Sequence, residues 1–196
     1  MPQQYPKGSV WRKWDLHVHT PASFEHGFGN WDEYVDELEG IDDFAVIGIT
    51  DYFTLDGYKE IIKHRAIGRL HNFTLIVPNI ELRLNIFVPR RSSGEQQRRL
   101  NLHVIFSNEV SVEDIETQFL QNLEIIVEGS PGGMAKKRML NRSSIEKVGK
   151  SIKLFQSSVS GASDFVAGCK NITVSLGNVT EALQKSCFGK WGQVCF

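Results

Sequence analysis

A few polar positions in the first half of the chain could do chemistry together. His17 and His19 close one short apolar segment and Asp51 closes a second. Glu81 follows a third, and His103 lies in a fourth. The steps from His17 to Asp51, Asp51 to Glu81 and Glu81 to His103 are 34, 30 and 22 residues. Imidazoles and carboxylates gathered in one place suit Zn²⁺, Mn²⁺ or Fe²⁺. Each residue alone has a plainer explanation. The His-x-His pair could satisfy itself by hydrogen bonds, and Asp51 could cap the turn that follows it. Glu81 could pair with Arg83 on the surface, and His103 could be a core histidine. Recurrence at strand ends is what favours a shared site.

The elements that would position these residues alternate in type. Val10 to His19 reads as a strand with Leu16 and Val18 on one side and Asp15, His17 and His19 on the other. Asn30 caps a helix through Leu38, closed by Gly40. Phe44 to Thr50 is the apolar run of a strand buried on both faces. Leu55 to about Ile67 is helical, with Gly68 as its stop, and Thr74 to Val77 leads as a strand through Asn79 to Glu81. Leu82 to Val88 alternates and extends that strand; Leu100 to Ser107 is the next, before a helix from about Val112 to Leu123. This β-α-β-α-β-(β)-α order predicts an α/β fold with a mainly parallel sheet or barrel, in which successive strand ends share one face.

Beyond residue 125 the pattern weakens. Glu128 to Gly133 reads as a break, Ser143 to Phe155 as a basic helix, Ser157 to Gly168 as a small-residue loop, and Asn178 as the cap of a short helix. Trp191 to Phe196 reads as a further strand with no helix to cover it, which predicts a truncated domain from a longer protein. We therefore divide the chain into a motif-bearing stretch, 1–125, and a continuation of the same domain, 126–196.

Composition narrows the class. The chain has 196 residues, 41% of them hydrophobic and 23% charged, enough for a single domain with a real core. No apolar run approaches the roughly 18–20 residues of a membrane span. The polar, mixed start lacks the apolar stretch of a signal peptide, so the four Asn-X-Ser/Thr triplets read as chance. Three cysteines without a Cys-x-x-Cys pair fit a reduced, cytoplasmic setting. Net charge is −1 but uneven: residues 1–82 carry 7 Lys+Arg against 13 Asp+Glu, and residues 83–196 carry 15 against 10. Cations could bind the acidic front and phosphates the basic back, or both could be solvated surface.

Asp15-Leu16-His17-Val18-His19-Thr20, then Ile49-Thr50-Asp51 with Thr54-Leu55-Asp56-Gly57, then Ile80-Glu81, then Leu102-His103-Val104 resemble, in order, the motifs of the PHP (polymerase and histidinol phosphatase) family. Trp11-Arg12-Lys13-Trp14, Asp51-Tyr52-Phe53, Pro78 to Arg83 and His103 to Ser107 are similar to the PHP heads of TrlF-type AAA-like ATPases. The resemblance covers roughly residues 8–125. It implies a distorted (β/α)7 barrel, here incomplete at its C-terminus, with up to three divalent ions (Zn, Mn or Fe). The implied reaction is hydrolysis of phosphate esters, on small monoesters or nucleic acid, and the implied partner is an ATPase region in a longer parent. His17, His19 and His103 match metal ligands and Glu81 the bridging carboxylate. The second motif departs from the family, with Tyr52 where a histidine ligand is usual; Asp51 then ligates or orients a neighbouring ligand. His26 lies one residue out of register with a further ligand, and no histidine follows His103.

In this reading metal-activated water attacks the phosphorus, Glu81 bridges the ions and Asp51 orients the water. Arg90, Arg91, Arg98 and Arg99 either clamp phosphate or form a solvated basic loop. The chain carries no P-loop and no Gly-x-Ser-x-Gly elbow. Two alternatives remain: a non-catalytic PHP-like docking module with a depleted metal site, and an amidohydrolase-like hydrolase.

Overall fold

Apolar runs with strand and helix periods alternate along the first half of the chain, and each forms the element its period requires. The structure, a computed structural model, describes residues 11–24, 27–88, 98–127 and 136–186. Strand β1 (Lys13–His19) is followed by α1 (Trp31–Glu39), β2 (Phe44–Tyr52), α2 (Asp56–Ala66) and the long β3 (Leu75–Val88). Asn30 caps α1 by accepting from Glu33 N, as its position before the helix predicts. β4 (Arg98–Ile105) follows, then a helical stretch that begins as α3 (Val112–Asp114) and runs on through a π turn, Ile115–Phe119. The sheet order is β1-β2-β3-β4. The first three strands are parallel, and β4 returns antiparallel to β3. The fold is mixed α/β with a curled, half-barrel sheet.

The second half departs from expectation in several places. β5 (Glu124–Val127), β6 (Lys136–Met139) and β7 (Ile172–Thr173) form a separate sheet, order β6-β5-β7, which the sequence pattern did not announce. α4 (Arg142–Lys153) stands where the basic helix was expected. The supposed loop after it contains α5 (Asp164–Lys170), with Ser163 as its cap accepting from Val166 N. Its small residues serve close helix packing: a Cβ at Gly149 or Gly168 would collide with backbone of the facing helix. α6 (Leu176–Lys185) is capped by Ser175 rather than Asn178, whose Oδ1 instead accepts from Glu124 N at 2.6 Å. The expected break at 128–133 and the expected strand at 191–196 lie outside the described residues.

β3 links the two sheets. Glu81 O accepts from Phe53 N, where β2 ends, and two residues on, Arg83 O accepts from Val174 N beside β7. One apolar core then runs from Tyr34 of α1 to Leu183 of α6, drawing on both halves of the chain. No helix among the described residues is long and apolar enough to cross a membrane.

Candidate metal centre

The period of two along a strand decides which polar residues can meet. In β2 and β3, Thr50 pairs with Asn79 and Tyr52 with Glu81. In β3 and β4, Glu81 pairs with His103 and Arg83 with Asn101. These side chains share one face of the sheet. Asp51 pairs with Ile80, so it lies on the opposite face, toward α2.

β1 reaches the same polar face through a bulge. Asp15 is opposite Ile47 and Val18 opposite Ile49, so β1 spends one more residue than β2 over this interval. His17 N donates to Asp15 Oδ1 at 3.0 Å inside the bulge. Leu16 O accepts from Asn79 Nδ2 at 2.6 Å, across the width of β2. That approach needs a glycine at position 48, because a Cβ there would sit 2.6 Å from Leu16 O. Asn79 Nδ2 also lies 3.0 Å from His103 Nδ1, tying the bulge to the histidine on β4.

Glu81 is the hub. Its side chain is only 2% exposed, yet no lysine or arginine pairs with it among the described residues. Oε2 lies 3.3 Å from both His17 Nε2 and His19 Nε2. Oε1 lies 4.0 Å from His103 Nε2 and accepts from Asn101 Nδ2 at 2.5 Å. The carboxylate thus turns one oxygen to the β1 histidines and the other toward β4. His17 Nε2 and His19 Nε2 are 3.1 Å apart, facing one another. His17, Glu81 and His103 bring ligand atoms within 4.8 Å of one another and could hold a metal ion. His17 is 52% exposed, which opens the cluster to solvent. Burial, with the charged forms of His17 and His19 nearby, holds His103 below its ordinary pKa against the opposing pull of Glu81. The neutral ring that a metal ligand requires is thereby favoured.

Compared with family models, curated proteins and solved structures, the chain matches none. The roles of these residues therefore rest on their geometry.

Among the sequence-derived candidates, His17, His19, Glu81 and His103 come together. His103 does so by antiparallel pairing, not as the end of a parallel strand. Asp51 does not join them: it accepts from Thr20 Oγ1 at 2.9 Å, Thr20 N at 3.3 Å and Gly57 N at 3.0 Å. Those bonds tie β2 to the end of β1 and the first turn of α2. Burial outweighs these donors and pushes its pKa up to about 6. His26, Arg90 and Arg91 lie outside the described residues. Arg98 and Arg99 are on β4, the latter with its guanidinium 5.1 Å from the Phe87 ring centroid.

Three neighbours were not anticipated. Tyr52, on the face of Glu81, stacks on His19 with ring centroids 5.4 Å apart and accepts from Asn101 Nδ2 at 3.1 Å. Arg83, expected only as a surface partner of Glu81, lies 5.6 Å from the Tyr52 ring centroid and 5.7 Å from that of Phe24. Asn79 supports His103 from below. The signal for each was its two-residue offset from Glu81 or its strand partner, read along one face.

Proposed function

We propose that the chain is a metal-dependent phosphoesterase built as a distorted PHP-type (β/α)7 barrel and belonging to a longer protein with an ATPase region. The observation that carries the reading is Glu81: a buried carboxylate with three imidazoles around its two oxygens and, among the described residues, no lysine or arginine paired with it. The nitrogen and oxygen donors gathered around it fit Zn²⁺, Mn²⁺ or Fe²⁺. A bound divalent ion would polarise the phosphoryl group and activate water. The chain's own part is to hold His17, His19 and His103 by strand register, to orient Glu81 through Asn101, and to leave the His17 side open to substrate. Asp51, on the other face, holds β1, β2 and α2 together and takes no part in the chemistry.

Elemental analysis of the purified chain, beside a His17→Ala/His19→Ala double variant, tests this. Roughly one or more equivalents of metal are expected, lost in the variant, together with a metal-dependent hydrolysis of aryl phosphate esters lost in parallel. A folded chain without metal overturns the reading in favour of a docking module. Metal with amide hydrolysis and no phosphate hydrolysis overturns it in favour of an amidohydrolase-like enzyme.

A further inference from the structure

Past the cluster, β3 and β4 run on together as a two-stranded arm. Arg83 is opposite Asn101, Phe87 opposite Arg99 and Val88 opposite Arg98, with a register shift between Arg83 and Phe87 that gives β3 two extra residues. Residues 85–88 on one strand and Arg98, Leu100 and Asn101 on the other are exposed, so the outer end of the arm stands away from the core. Among its described residues, 82–88 and 98–102, there are three arginines and no carboxylate. Exposed apolar surface would ordinarily be covered, yet Ile86, Phe87, Val88 and Leu100 are all open.

The face that carries Glu81 and His103 continues onto this arm with two arginine–aromatic stacks. Arg83 lies over Tyr52 and Phe24, and Arg99 over Phe87. Arg83 donates to Lys170 O at 3.2 Å and has no carboxylate partner among the described residues. Burial first, and the nearby charge of Arg83 second, disfavour the charged form of Arg99. Gathering like charges beside an exposed aromatic ring, here Phe87, is stabilised when an anion with flat, stackable groups lies across them.

We propose that this face of the β3–β4 arm binds single-stranded nucleic acid, with phosphates along Arg83, Arg99 and Arg98, a base stacked on Phe87, and the strand led toward His17, Glu81 and His103. Delivery of the strand to the cluster rests on the phosphoesterase reading; binding by the arm does not. A duplex keeps its bases stacked inside and offers Phe87 nothing to stack on, which is why a single strand is the ligand.

The test is fluorescence anisotropy of labelled oligo-dT with the full chain, in chelator and across a salt series. The parent should bind the single strand more tightly than a duplex of equal length. Arg98→Ala/Arg99→Ala should weaken binding at least about tenfold and flatten the log K against log salt slope by about 1.4, two phosphate contacts at about 0.7 each. Phe87→Ala should weaken it about 5- to 100-fold with little change in slope. Absent binding at low salt, equal binding by the arm variants, or preference for duplex overturns the proposal. Because every measurement is made without metal, loss of the phosphoesterase reading leaves this result standing, and the reverse.

Discussion

Replacing Asp51 by asparagine should make the chain more stable at neutral pH, although it removes a charge from a well-bonded position. Two effects oppose one another at Asp51. Thr20 and Gly57 donate to the carboxylate and favour its charged form, whereas burial disfavours it and prevails, raising the pKa from an ordinary 3.8 to about 6. The folded value lies above the unfolded one, so as pH rises the unfolded chain releases this proton first. The contribution of Asp51 to stability is therefore full below about pH 3.8 and lost by about pH 6, a total of about 3 kcal/mol. Asparagine keeps an acceptor for Gly57 N and can donate to Thr20 Oγ1, without the cost of a buried charge. The difference in unfolding free energy between variant and parent should then grow by about 2 kcal/mol in the variant's favour between about pH 4.5 and pH 7.5. Urea unfolding followed by circular dichroism, with chelator present, measures it; taking the difference cancels the titration of the histidines. A difference that does not change with pH, or a variant weaker than the parent by more than about 1 kcal/mol at neutral pH, would refute the reasoning. Either would mean that the donors, not burial, set the state of Asp51.

Gly48→Ala places a Cβ 2.6 Å from Leu16 O and 2.9 Å from Leu16 C, both backbone atoms. It should cost about 1–3 kcal/mol and weaken metal uptake by shifting the β1 bulge, read by thermal melting and metal titration; an unchanged melt and titration would show that the bulge does not depend on this contact. Asn79→Ala should lower metal affinity about 10- to 100-fold in a chelator competition. Asn79 Nδ2, itself held 2.6 Å from Leu16 O and 2.8 Å from Thr50 Oγ1, lies 3.0 Å from His103 Nδ1, so the alanine frees the His103 ring and loosens the β1 bulge that carries His17. Unaltered affinity would place the control of His103 elsewhere.

The four histidine and glutamate positions were legible because each sits in a strand whose apolar run or alternation is strong, and strand register then brings them together. Two features that shape the site were not legible as geometry. The bulge at Asp15–Val18 leaves no mark in composition, since an extra strand residue looks like any other; only Gly48 opposite it hints at a close backbone approach. The antiparallel return of β4 was readable in principle. Only nine residues, 89–97, separate β3 from β4, too few for the crossover that a parallel partner needs. In sequence α5 looks like a loop because Gly168 and the small residues before it look like punctuation, whereas Gly168, with Gly149 of α4, lets the two helices touch backbone to backbone.

The error over Asp51 has the most consequence, and it comes from counting positions without faces. Asp51 and Glu81 both follow buried apolar runs, and spacing alone treats them as equivalent. Pairing sets Tyr52, not Asp51, beside Glu81, so the residue that looked like a defect in the second motif is the one on the polar face. Tyr52 there stacks on His19, accepts from Asn101 and lies beneath Arg83, joining the Glu81 cluster to the basic arm. A histidine at position 52 would point another imidazole to the same face but would not keep that broad ring under Arg83. If the site holds a cation as proposed, it does so with one imidazole fewer on this face, and the Tyr52 ring under Arg83 supplies an aromatic floor in its place.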